Sequence, residues 1–546
     1  MSLPTRSVPA TSLSISRRLA RAAVEFLPPF AVALLILPYI IQYGKLIPWH
    51  PSTIDLQVYV YAVKDMLAGK DIFATTTPFW NLYFIYPPIA AILMTPLAFG
   101  PYVFWQVVWT GGLVWAQQSV LKRCGAPRGW RLGLIGIAVV VAVEPIRTTL
   151  GYGQVNTILM ALVVADLLPD APGERRRIPQ GTLIGLAAAI KLTPLLFVVF
   201  FLVSRRHRDA ARAMAAFVGC AALGVLLLPG DSLTYWTGTV LQTSRIGNLA
   251  SLGNQSVHGM LLRVGVAPDA LPVMWAGLVA VICVAALLRA RRIQLDGEPV
   301  RAAVLVGCAT VAASPVSWTH HQLWTVLAAM LLVATNGVAR RFAGVALLVT
   351  MVVSLGVLLG DVSTYPGVQF LFENARAFGP VAICLFGLGG VAVVAARVRR
   401  PGKARVWLRV GTAAAAALAC FAVLPLPAAA DPTFKAYGLS DTTNPRYFYF
   451  CSSEVRCAEA ALGAPVHFAV MREKTKVRVN GVVDATVMKL EFSSAPGGAP
   501  RVIPLVGIYP GQRGFSFRSA NLAHGRLTVF GAGGQILATF TDELNP

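Results

Sequence analysis

The sequence predicts a polytopic, all-α membrane protein with about 11 to 13 membrane segments, followed by a small β-rich domain. Of its 546 residues, 56% are hydrophobic and only 13% are charged, and the mean hydropathy is +0.64. Several apolar runs approach the roughly 20 residues that a helix needs to span a bilayer. Long apolar runs stop near Ala430. We therefore divide the chain into a basic cytoplasmic N-terminus (1–25), a membrane domain (26–430) and a β-rich extracytoplasmic domain (431–546).

The net charge of +23 resides mainly in short loops between the apolar runs. Nucleic-acid binding is therefore not expected, because it needs a basic surface on a hydrophilic domain. Loops rich in Lys and Arg stay on the cytoplasmic side of the plasma membrane, which predicts that the polar turns between them face outward. The basic clusters lie at 17–21, 122–131, 175–177, 205–212, 289–292, 340–341 and 397–409.

The first apolar run, Phe26 to Gln42, leads into a predicted outer loop over 45–84. We expect this run to be a retained helix and not a cleaved signal, because many further apolar runs follow it. The loop carries Asp55 close to the point where the chain leaves the bilayer. This carboxylate is either the reacting group or a helix N-cap that satisfies free backbone N–H groups.

Apolar residues recur at helical spacing directly after Asp55, namely Leu56, Val60, Val63 and Leu67. This pattern predicts an amphipathic helix that extends to Ala68 and lies on the membrane surface. Gly69 is expected to end the helix. The geometry would hold Asp55 at a helix start, within reach of a lipid-borne substrate.

Polar motifs interrupt the apolar runs at four further places. The arms on either side of Lys191 have only about ten residues each, which predicts a broken or re-entrant helix. The motifs are Tyr86-Pro87-Pro88, Gly151-Tyr152-Gly153-Gln154-Val155-Asn156, Lys191-Leu192-Thr193-Pro194 and Ser314-Pro315-Val316-Ser317-Trp318-Thr319-His320-His321.

A lysine at membrane depth needs an anionic partner, so Lys191 indicates a site for an anionic ligand. Alternatively it snorkels to the interface, or it pairs with a structural carboxylate such as Glu144 or Asp166. Gln154 and Asn156 could bind sugar hydroxyl groups or merely satisfy the broken backbone ends.

The adjacent His320 and His321 can donate hydrogen bonds to phosphate oxygens, while the Trp318 ring can stack on a sugar. A single histidine is more often a packed polar residue. The pair beside Trp318 favours a binding role.

The region after Ala430 alternates polar and apolar residues in stretches such as Lys476 to Val479, Val487 to Phe492 and Arg526 to Phe530. This pattern predicts short strands separated by glycine-rich turns. The spacing of Cys451 and Cys457 suits a disulfide if the domain is extracytoplasmic. A zinc-binding cysteine pattern is absent from the sequence, and we expect no metal and no cofactor.

The predicted outer face thus combines one carboxylate, one buried lysine, a histidine pair, amides and aromatic rings close to lipid. Such a set suits transfer of a group from an anionic lipid to an acceptor hydroxyl. The carboxylate would accept the hydroxyl proton, and the cationic donors would stabilise charge on the departing phosphate. No Walker or Rossmann glycine pattern occurs in a suitable context, which argues against a nucleotide-driven reaction.

Five short motifs resemble, in sequence and order, those of glycosyltransferase family 87. They are Ile54-Asp55-Leu56-Gln57-Val58-Tyr59, Tyr86-Pro87-Pro88, Gly153-Gln154-Val155-Asn156, Lys191-Leu192-Thr193-Pro194 and the motif from Ser314 to His321. The resemblance covers roughly Val24 to Arg400. It implies a GT-C membrane enzyme that uses a polyprenyl-phosphate sugar donor and a glycolipid or lipoglycan acceptor. The similarity is greatest to the actinobacterial α-mannosyltransferases, because the Lys-Leu-Thr-Pro and His-His elements are both present. The β-rich tail departs from the shorter members.

The resemblance also implies roles for individual residues. Asp55 matches the family's catalytic aspartate in the outer loop. Lys191, His320 and His321 would lie near the donor phosphate. The remaining residues expected to contact the substrates are Tyr59, Gln154, Asn156 and Trp318.

Two alternatives to a mannosyltransferase remain open from the sequence. One is an arabinofuranosyltransferase of the same family. The other is a glycolipid carrier or flippase, since an intramembrane lysine and broken helices suit transport equally well. The tail could anchor the protein to the cell wall or guide the acceptor.

Overall fold

The computed structural model describes residues 15–42, 45–48, 53–74, 76–77, 82–168, 176–242, 245, 249–267, 269–335, 337–355, 366–388, 437–440, 447–451, 457–461, 466–472, 477–484, 486–495, 498–509, 512–519 and 524–541. Within these ranges the chain forms eighteen α-helices, an early two-stranded hairpin and a set of C-terminal antiparallel strands. The predicted combination of a helical membrane domain with a β-rich tail is confirmed.

Nine of these helices lie before residue 204, and most are short. They are α1 (Ile15–Ile36), α2 (Ile54–Leu67), α3 (Pro88–Leu93), α4 (Tyr102–Arg123), α5 (Trp130–Ala142), α6 (Glu144–Tyr152), α7 (Asn156–Leu167), α8 (Thr182–Ile190) and α9 (Leu195–Val203). A 3-10 turn at Thr95–Ala98 separates α3 from α4.

The second nine helices include the two longest uninterrupted apolar ones, α10 and α13. They are α10 (His207–Leu227), α11 (Pro229–Thr237), α12 (Val257–Val264), α13 (Leu271–Leu295), α14 (Pro299–Ala313), α15 (Leu323–Ala334), α16 (Val338–Val352), α17 (Pro366–Glu373) and α18 (Ala375–Phe386). Two further 3-10 turns lie at Thr239–Leu241 and Thr319–His321.

The predicted breaks occur where Gly, Pro and polar residues interrupt the apolar runs. α6 ends at Gly153, which adopts the left-handed conformation, and α7 restarts at Asn156. α8 and α9 have nine residues each and are separated by the break at 191–194, as predicted. One break was not expected: α5 and α6 meet at Val143 with a bend of 81°. Pro145 in the first turn of α6 is compatible with a helix start there.

Three of the described helical segments are long and apolar enough to cross a membrane: Leu19–Ile36, His207–Leu227 and Leu271–Leu295. Counting the bent α5–α6 pair as one span gives four. Four more apolar helices are shorter, among them Pro299–Ala313 and Leu323–Ala334. The number of described helices long enough to span a membrane is smaller than the 11 to 13 membrane segments predicted from the sequence. The polar breaks account for part of this difference, because they divide apolar runs into half-length helices. The last apolar run before Ala430, near 410–426, lies outside the described residues.

The first helix differs from its sequence prediction at both ends. It begins at Ile15, so helical structure continues across the boundary drawn at 25/26, and it ends at Ile36 instead of Gln42. Pro38 follows, which cannot continue a helix. Strands β1 (Tyr39–Gln42) and β2 (Lys45–Pro48) then form an antiparallel hairpin.

Helix α2 is largely buried against other helices, which corrects the prediction that its apolar residues lie on the membrane surface. Leu56, Val60 and Val63 are buried as expected, and so are Val58 and Tyr59 on other faces, whereas Leu67 is 53% exposed. One side of the helix, with Tyr61 and Lys64, remains exposed. The helix packs against α3, α6 and the turn at Thr95–Ala98. Its predicted end is confirmed: the C-cap is Ala68, and the next residue, Gly69, has φ +71°.

The C-terminal strands include a three-stranded antiparallel sheet and two four-stranded sheets. The strand orders are β3-β4-β5, β10-β11-β7-β6 and β13-β12-β8-β9. Apolar residues from the two four-stranded sheets share one core, in which Phe492 and Phe517 have ring centroids 4.5 Å apart. The strands are β3 (Tyr437–Ser440), β4 (Tyr447–Cys451), β5 (Cys457–Ala461), β6 (Val466–Arg472), β7 (Val477–Asp484), β8 (Lys489–Ser493), β9 (Arg501–Ile503), β10 (Val506–Tyr509), β11 (Gln512–Ser519), β12 (Arg526–Phe530) and β13 (Ile536–Phe540).

A disulfide between Cys451 and Cys457 stays a prediction, and the backbone register is compatible with it. The two residues are direct partners in the antiparallel β4–β5 pair. Opposed Cα atoms in such a pair are about 4.5–5.5 Å apart, a distance that a disulfide spans. We expect alkylation of the denatured protein to modify these two thiols only after reduction. Their full labelling without a reductant would contradict the prediction.

Candidate active site

The start of α2 is held in a strained but fixed conformation. Thr53, the residue before the helix, has φ 59° and ψ 45°, which is unusual for a β-branched residue. Its N–H donates to the Gly151 carbonyl at 2.6 Å, and its hydroxyl lies 2.6 Å from the Tyr102 hydroxyl. Gln106 also donates to this hydroxyl, at 2.8 Å. The N-cap is therefore Thr53, and the interpretation of Asp55 as a helix cap is wrong.

The turn between α6 and α7 packs closely against this helix start. Gly153 has φ +71°, and a Cβ atom added to it would lie only 2.8 Å from the Leu56 Cβ and 3.3 Å from the Thr53 Cβ. Trp109 donates its indole N–H to the Gly153 carbonyl at 2.7 Å. Only glycine fits here, both because of the conformation and because of the close approach. The contact brings Gln154 against Asp55.

Two tyrosines fix the orientation of the Gln154 amide. The hydroxyl groups of Tyr86 and Tyr59 donate to Gln154 Oε1 at 3.1 and 3.4 Å, and the two hydroxyl oxygens lie 3.1 Å apart. With its oxygen occupied, Gln154 presents its amide N–H to the Asp55 carboxylate, which accepts a hydrogen bond from it. Tyr86 was not among the residues predicted to contact the substrates, although it belongs to the Tyr-Pro-Pro motif.

The environment makes Asp55 a weaker acid than an ordinary aspartate. Burial raises the pKa of Asp55 to about 7, although the Gln154 hydrogen bond and the Lys191 charge both act to lower it. The residue nevertheless keeps partial exposure, so it can still be reached from outside the protein core. A carboxyl with a pKa near neutrality is suited to accept a proton at physiological pH.

Lys191 is the C-cap residue of α8. Because the helix breaks here, the side chain can reach polar groups on other helices. Its ammonium donates to Asn156 Oδ1 at 2.9 Å and contacts His321 Nε2 at 3.2 Å. It also lies 5.5 Å from the centroid of the Tyr86 ring. Through Tyr86, Gln154 and the direct attraction between opposite charges, Lys191 and Asp55 belong to one cluster.

Both carboxylates that could have neutralised Lys191 as a structural pair have other partners. Glu144 forms a buried ion pair with Arg376 of α18. Asp166 accepts hydrogen bonds from the backbone N–H groups of Gly181 and Ile184 at the start of α8, at 2.8–3.0 Å. The alternative that Lys191 pairs with one of them is therefore wrong.

His321 is held between Lys191 and the backbone of its own turn. Its Nδ1 lies 3.2 Å from both the Val316 carbonyl and the Trp318 N–H, while its Nε2 faces the lysine ammonium. A cation at Nε2 favours the neutral tautomer that carries its proton on Nδ1. In this tautomer Nδ1 donates to the Val316 carbonyl and does not accept from the Trp318 N–H. His321 thus accepts from Lys191 in this arrangement.

The adjacent His320 is buried and contributes chiefly through its backbone. Its carbonyl accepts from Asn156 Nδ2 at 3.2 Å and from the Thr149 hydroxyl at 3.4 Å. Its ring meets the His321 ring edge-to-face with centroids 4.5 Å apart. Its Nδ1 has no hydrogen-bond partner within the described part of the chain.

The turn that carries both histidines is supported by residues that sequence analysis missed. Asn254 Oδ1 accepts from the Ser317 N–H at 2.9 Å, and the Gln255 N–H donates to the Ser317 carbonyl at 2.8 Å. Arg376 donates to the Thr319 hydroxyl at 3.2 Å. The polar composition of the segment 230–257 could have pointed to Asn254 and Gln255. The neighbouring residues in the sequence do not indicate which turn these side chains support.

A cavity with about 600 Å³ of empty space, including its open mouth, adjoins Lys191. Its polar side is formed mainly by Lys191, Asn156, His321 and hydroxyl groups, and its other walls are apolar. Trp318 is not among the residues around it; its ring packs against Gly253 instead. The lining residues are Asn156, Leu159, Met160, Val163, Lys191, Thr193, Pro194, Phe197, Thr310, Val311, Ser314, Ser317, His321, Leu323 and Trp324.

The cluster therefore joins a proton-accepting carboxylate to an ammonium group that faces a largely apolar cavity. Such an arrangement can bind a lipid-borne anion and accept a proton beside it. Among the described residues, no group of three or more His, Cys, Asp or Glu side chains is arranged to hold a metal ion.

Comparison with known proteins assigns the family. Residues 84–317 match the model of glycosyltransferase family 87. The chain is also 32% identical over 320 residues to the polyprenol-phosphate-mannose-dependent alpha-(1-2)-phosphatidylinositol mannoside mannosyltransferase of Mycobacterium tuberculosis, an alignment covering 55% of this chain and 74% of the relative. The chain belongs to glycosyltransferase family 87. It is thus a glycosyltransferase, as the sequence motifs indicated.

Other relatives of this family 87 enzyme come from Mycolicibacterium smegmatis. The phosphatidylinositol mannoside mannosyltransferase of that organism is 31% identical over 362 residues, covering 60% of this chain and 81% of the relative. A phosphatidylinositol pentamannoside mannosyltransferase is 31% identical over 321 residues, covering 56% and 75%. No solved structure matches the chain.

The region matched by the family 87 model contains only part of the candidate site. Tyr86, Gln154, Asn156 and Lys191 lie within 84–317. Asp55 precedes the matched region, and Trp318, His320 and His321 follow it. α2 and the histidine turn both pack against α6, which brings Asp55 and His321 to the residues of the matched region. The Trp318 ring packs against Gly253 instead.

Proposed function

We propose that this family 87 enzyme transfers a mannosyl group from a polyprenyl-phosphate donor to a glycolipid or lipoglycan acceptor, with inversion at the anomeric carbon. The observation that carries the proposal is the cluster in which Gln154 and Tyr86 join Asp55 to Lys191 beside a largely apolar cavity. The names of the mycobacterial relatives supply the donor and the general kind of acceptor.

In this proposal Asp55 is the general base. Its carboxylate takes the proton from an acceptor hydroxyl, whose oxygen forms a bond to the anomeric carbon. The bond between that carbon and the phosphate oxygen breaks, and its electron pair leaves with polyprenyl phosphate. Lys191 neutralises the charge that develops on this leaving group. The products are the new glycoside, polyprenyl phosphate and a proton that Asp55 must release.

The cavity beside Lys191 suits the donor. The phosphate would lie at its polar side near Lys191, and the prenyl chain would lie along apolar residues such as Leu159, Met160 and Phe197. The neutral His321 would act on the phosphate by orienting Lys191. His320 would support the same turn, and Asn156 would hold the lysine from the other side.

The extracytoplasmic face of the plasma membrane is the proposed side of the reaction. The basic clusters at 122–131, 175–177 and 205–212 support this side. They alternate along the sequence with the polar breaks at 151–156 and 191–194, so the basic loops and the polar breaks are expected on opposite sides of the membrane. A lipid-linked sugar donor also fits a compartment without nucleotide sugars.

Purified protein supplied separately with mannosyl and arabinosyl polyprenyl-phosphate donors tests the proposal. We expect a product whose mass increases by one hexose, and no product from the arabinose donor. A pentose product would instead identify the arabinofuranosyltransferase alternative. Movement of lipid across vesicles without any new glycoside would identify a carrier.

The reaction rate is expected to depend on pH through Asp55. The base works only when unprotonated, and its pKa is raised to about 7, so kcat/KM should fall about tenfold for each pH unit below that value. A rate that stays constant from pH 7 down to pH 5 would contradict the role of Asp55.

Tyr86→Phe should move this acidic limb to higher pH. Without the hydroxyl, the Gln154 amide is less firmly oriented and stabilises the Asp55 carboxylate less well. We expect a loss of about threefold in kcat/KM at pH 7 and about fivefold well below pH 7, which corresponds to one hydrogen bond of about 1 kcal/mol. Tyr61→Phe, on the exposed side of α2, is the matched control and should leave the profile unchanged.

A further inference from the structure

The break between α8 and α9 supplies three of the residues that line the cavity beside Lys191. They are Lys191, Thr193 and Pro194. In the proposed reaction Lys191 neutralises the departing phosphate, whereas Thr193 has no role. The Thr193 side chain is nevertheless exposed at the cavity wall, so its hydroxyl is open to a ligand that enters the cavity.

Among the described residues, four side chains with hydroxyl groups line this cavity. Three of them donate to a main-chain carbonyl at 2.6–2.7 Å, so their hydrogens are not available to a ligand. The Thr193 hydroxyl has no hydrogen-bond partner within the part of the chain that the structure describes. Its hydrogen is therefore free for a ligand. The three committed hydroxyls belong to Thr310, Ser314 and Ser317, and their acceptors are Gly307, Val316 and Val311, respectively.

Lys191 by itself offers one hydrogen bond to a ligand. Its ammonium carries three hydrogens. Two of them are directed at Asn156 Oδ1 and His321 Nε2, at 2.9 and 3.2 Å. The phosphate of a polyprenyl-phosphate sugar has two unbridged oxygens, and its bridging oxygen becomes charged as the bond to the sugar breaks. A further donor beside the lysine is therefore expected.

The start of α9 favours an anion at the same cavity. Thr193 and Pro194 immediately precede Leu195, the first residue of this nine-residue helix, and both line the cavity. The N-terminus of a helix carries a partial positive charge, which stabilises a nearby negative charge. The Lys191 ammonium, the Thr193 hydroxyl and this helix end thus adjoin one cavity, and all three favour an anionic ligand there.

We propose that Thr193 binds the donor phosphate by donating its hydroxyl hydrogen to an oxygen of the departing group. The inference rests on the proposed function, which puts the donor in this cavity. During transfer the bond between the anomeric carbon and the phosphate oxygen breaks, and its electron pair stays on that oxygen. Thr193 stabilises the resulting charge through a hydrogen bond and keeps its own proton. The proton of the acceptor hydroxyl still goes to Asp55.

Thr193→Val tests the proposal, and Thr193→Ser is its conservative counterpart. Valine has nearly the shape of threonine but cannot donate, whereas serine retains the hydroxyl. We expect kcat/KM for the donor to fall about tenfold or more in Thr193→Val and to stay within about twofold in Thr193→Ser, because only valine removes a hydrogen bond to a charged group. KM for the acceptor and the pH of the acidic limb should not change, since Asp55 keeps its surroundings.

Thr237→Val is the matched control for the loss of a threonine hydroxyl. Thr237 is also exposed, but it lies on α11, away from the cavity, and its hydroxyl donates to the Leu233 carbonyl at 2.7 Å. This variant should resemble the natural protein in every assay. Equal losses in Thr193→Val and Thr193→Ser would overturn the role of the hydroxyl. If Thr193→Val does not fold, Thr193→Ala is used and must give the same loss.

Binding of farnesyl phosphate separates this inference from the proposed function, because it requires no transfer. Dissociation constants are measured by isothermal titration calorimetry on the full-length protein, with farnesol, which lacks the phosphate, as the reference ligand. We expect Thr193→Val to weaken binding of farnesyl phosphate about tenfold and to leave binding of farnesol unchanged. Equal weakening of both ligands would indicate an altered apolar wall and would overturn the proposal.

The two assays together distinguish the possible failures. Binding of farnesyl phosphate that depends on Thr193, in a protein that forms no mannoside, would contradict the proposed transfer and retain the phosphate site. Transfer by the natural protein, with farnesyl phosphate binding unchanged in Thr193→Val, would overturn the inference and retain the transfer. If KM for the mannosyl donor nevertheless rises in that variant, Thr193 contacts the sugar instead of the phosphate.

Discussion

Asp55→Asn is expected to abolish mannosyl transfer while the protein remains folded in the membrane. The amide has nearly the same shape as the carboxylate but cannot accept the hydroxyl proton, so the rate should fall by about 10²- to 10⁴-fold, the usual contribution of a general base. The substitution also removes a charge whose desolvation is unfavourable, so unfolding of the protein is not expected. Product formation is measured with purified donor and acceptor under single-turnover conditions.

The appropriate control for this variant is Asp65→Asn. Asp65 belongs to the same helix, but it lies 3.9 Å from Lys70 near the other end of α2. We expect Asp65→Asn to retain transfer within about twofold, because Asp65 lies ten residues further along α2 and its carboxylate pairs with the exposed Lys70 ammonium, outside the Asp55–Lys191 cluster. Normal turnover by Asp55→Asn would remove the proposed base and, with it, the proposed mechanism.

Lys191→Met should have the second-largest effect. It should weaken stabilisation of the leaving phosphate and also raise the pKa of the base, Asp55. Methionine retains an unbranched side chain of similar length but loses the charge that would neutralise the departing phosphate. A charge-assisted contact contributes about 1.5–3 kcal/mol, so we expect kcat/KM for the donor to fall about 10- to 150-fold.

The same substitution should also change the pH profile. Because the Lys191 charge lowers the pKa of Asp55, its loss should raise that pKa above about 7 and move the acidic limb to higher pH. Lys64→Met, which removes an exposed charge from α2, is the control and should leave both measurements unchanged. A Lys191→Met enzyme with normal donor kinetics would show that the phosphate binds elsewhere.

Deletion of the β-rich domain separates catalysis from other roles of the tail. The main cluster of the candidate site lies within 53–321, and the two four-stranded sheets have an apolar core of their own. If the tail guides the acceptor, a variant lacking residues 431–546 should retain donor binding and lose acceptor preference. An unchanged choice among glycolipid acceptors would count against guidance.

Local features of the sequence predicted two of the helix breaks, although not the bend between α5 and α6. Gly153 and the residues at 191–194 interrupt apolar runs, and the structure ends helices at both places. Helical spacing from Leu56 to Val63 likewise predicted α2 and its buried residues. These predictions succeeded because glycine, proline and polar residues act on the backbone within a few positions of themselves.

The same local reasoning could not assign partners to the polar side chains. Nothing in the sequence indicates that the Gln154 amide oxygen accepts hydrogen bonds from Tyr59, 95 residues away, and from Tyr86. Nor does it indicate that His321 Nε2 lies 3.2 Å from the Lys191 ammonium, 130 residues away. The spacing of residues along the chain contains no information about such contacts.

Local patterns in the sequence indicated the family, a helical membrane domain with polar breaks, and the chemical types of the residues in the site. Packing of the whole chain was needed to see that α2 is largely buried, that Glu144 and Asp166 have other partners, and that Asp55, Gln154, Tyr86 and Lys191 form one cluster. Breaks and periodicity arise from neighbours in the chain. The charge state and hydrogen bonding of a buried group depend instead on every element packed around it.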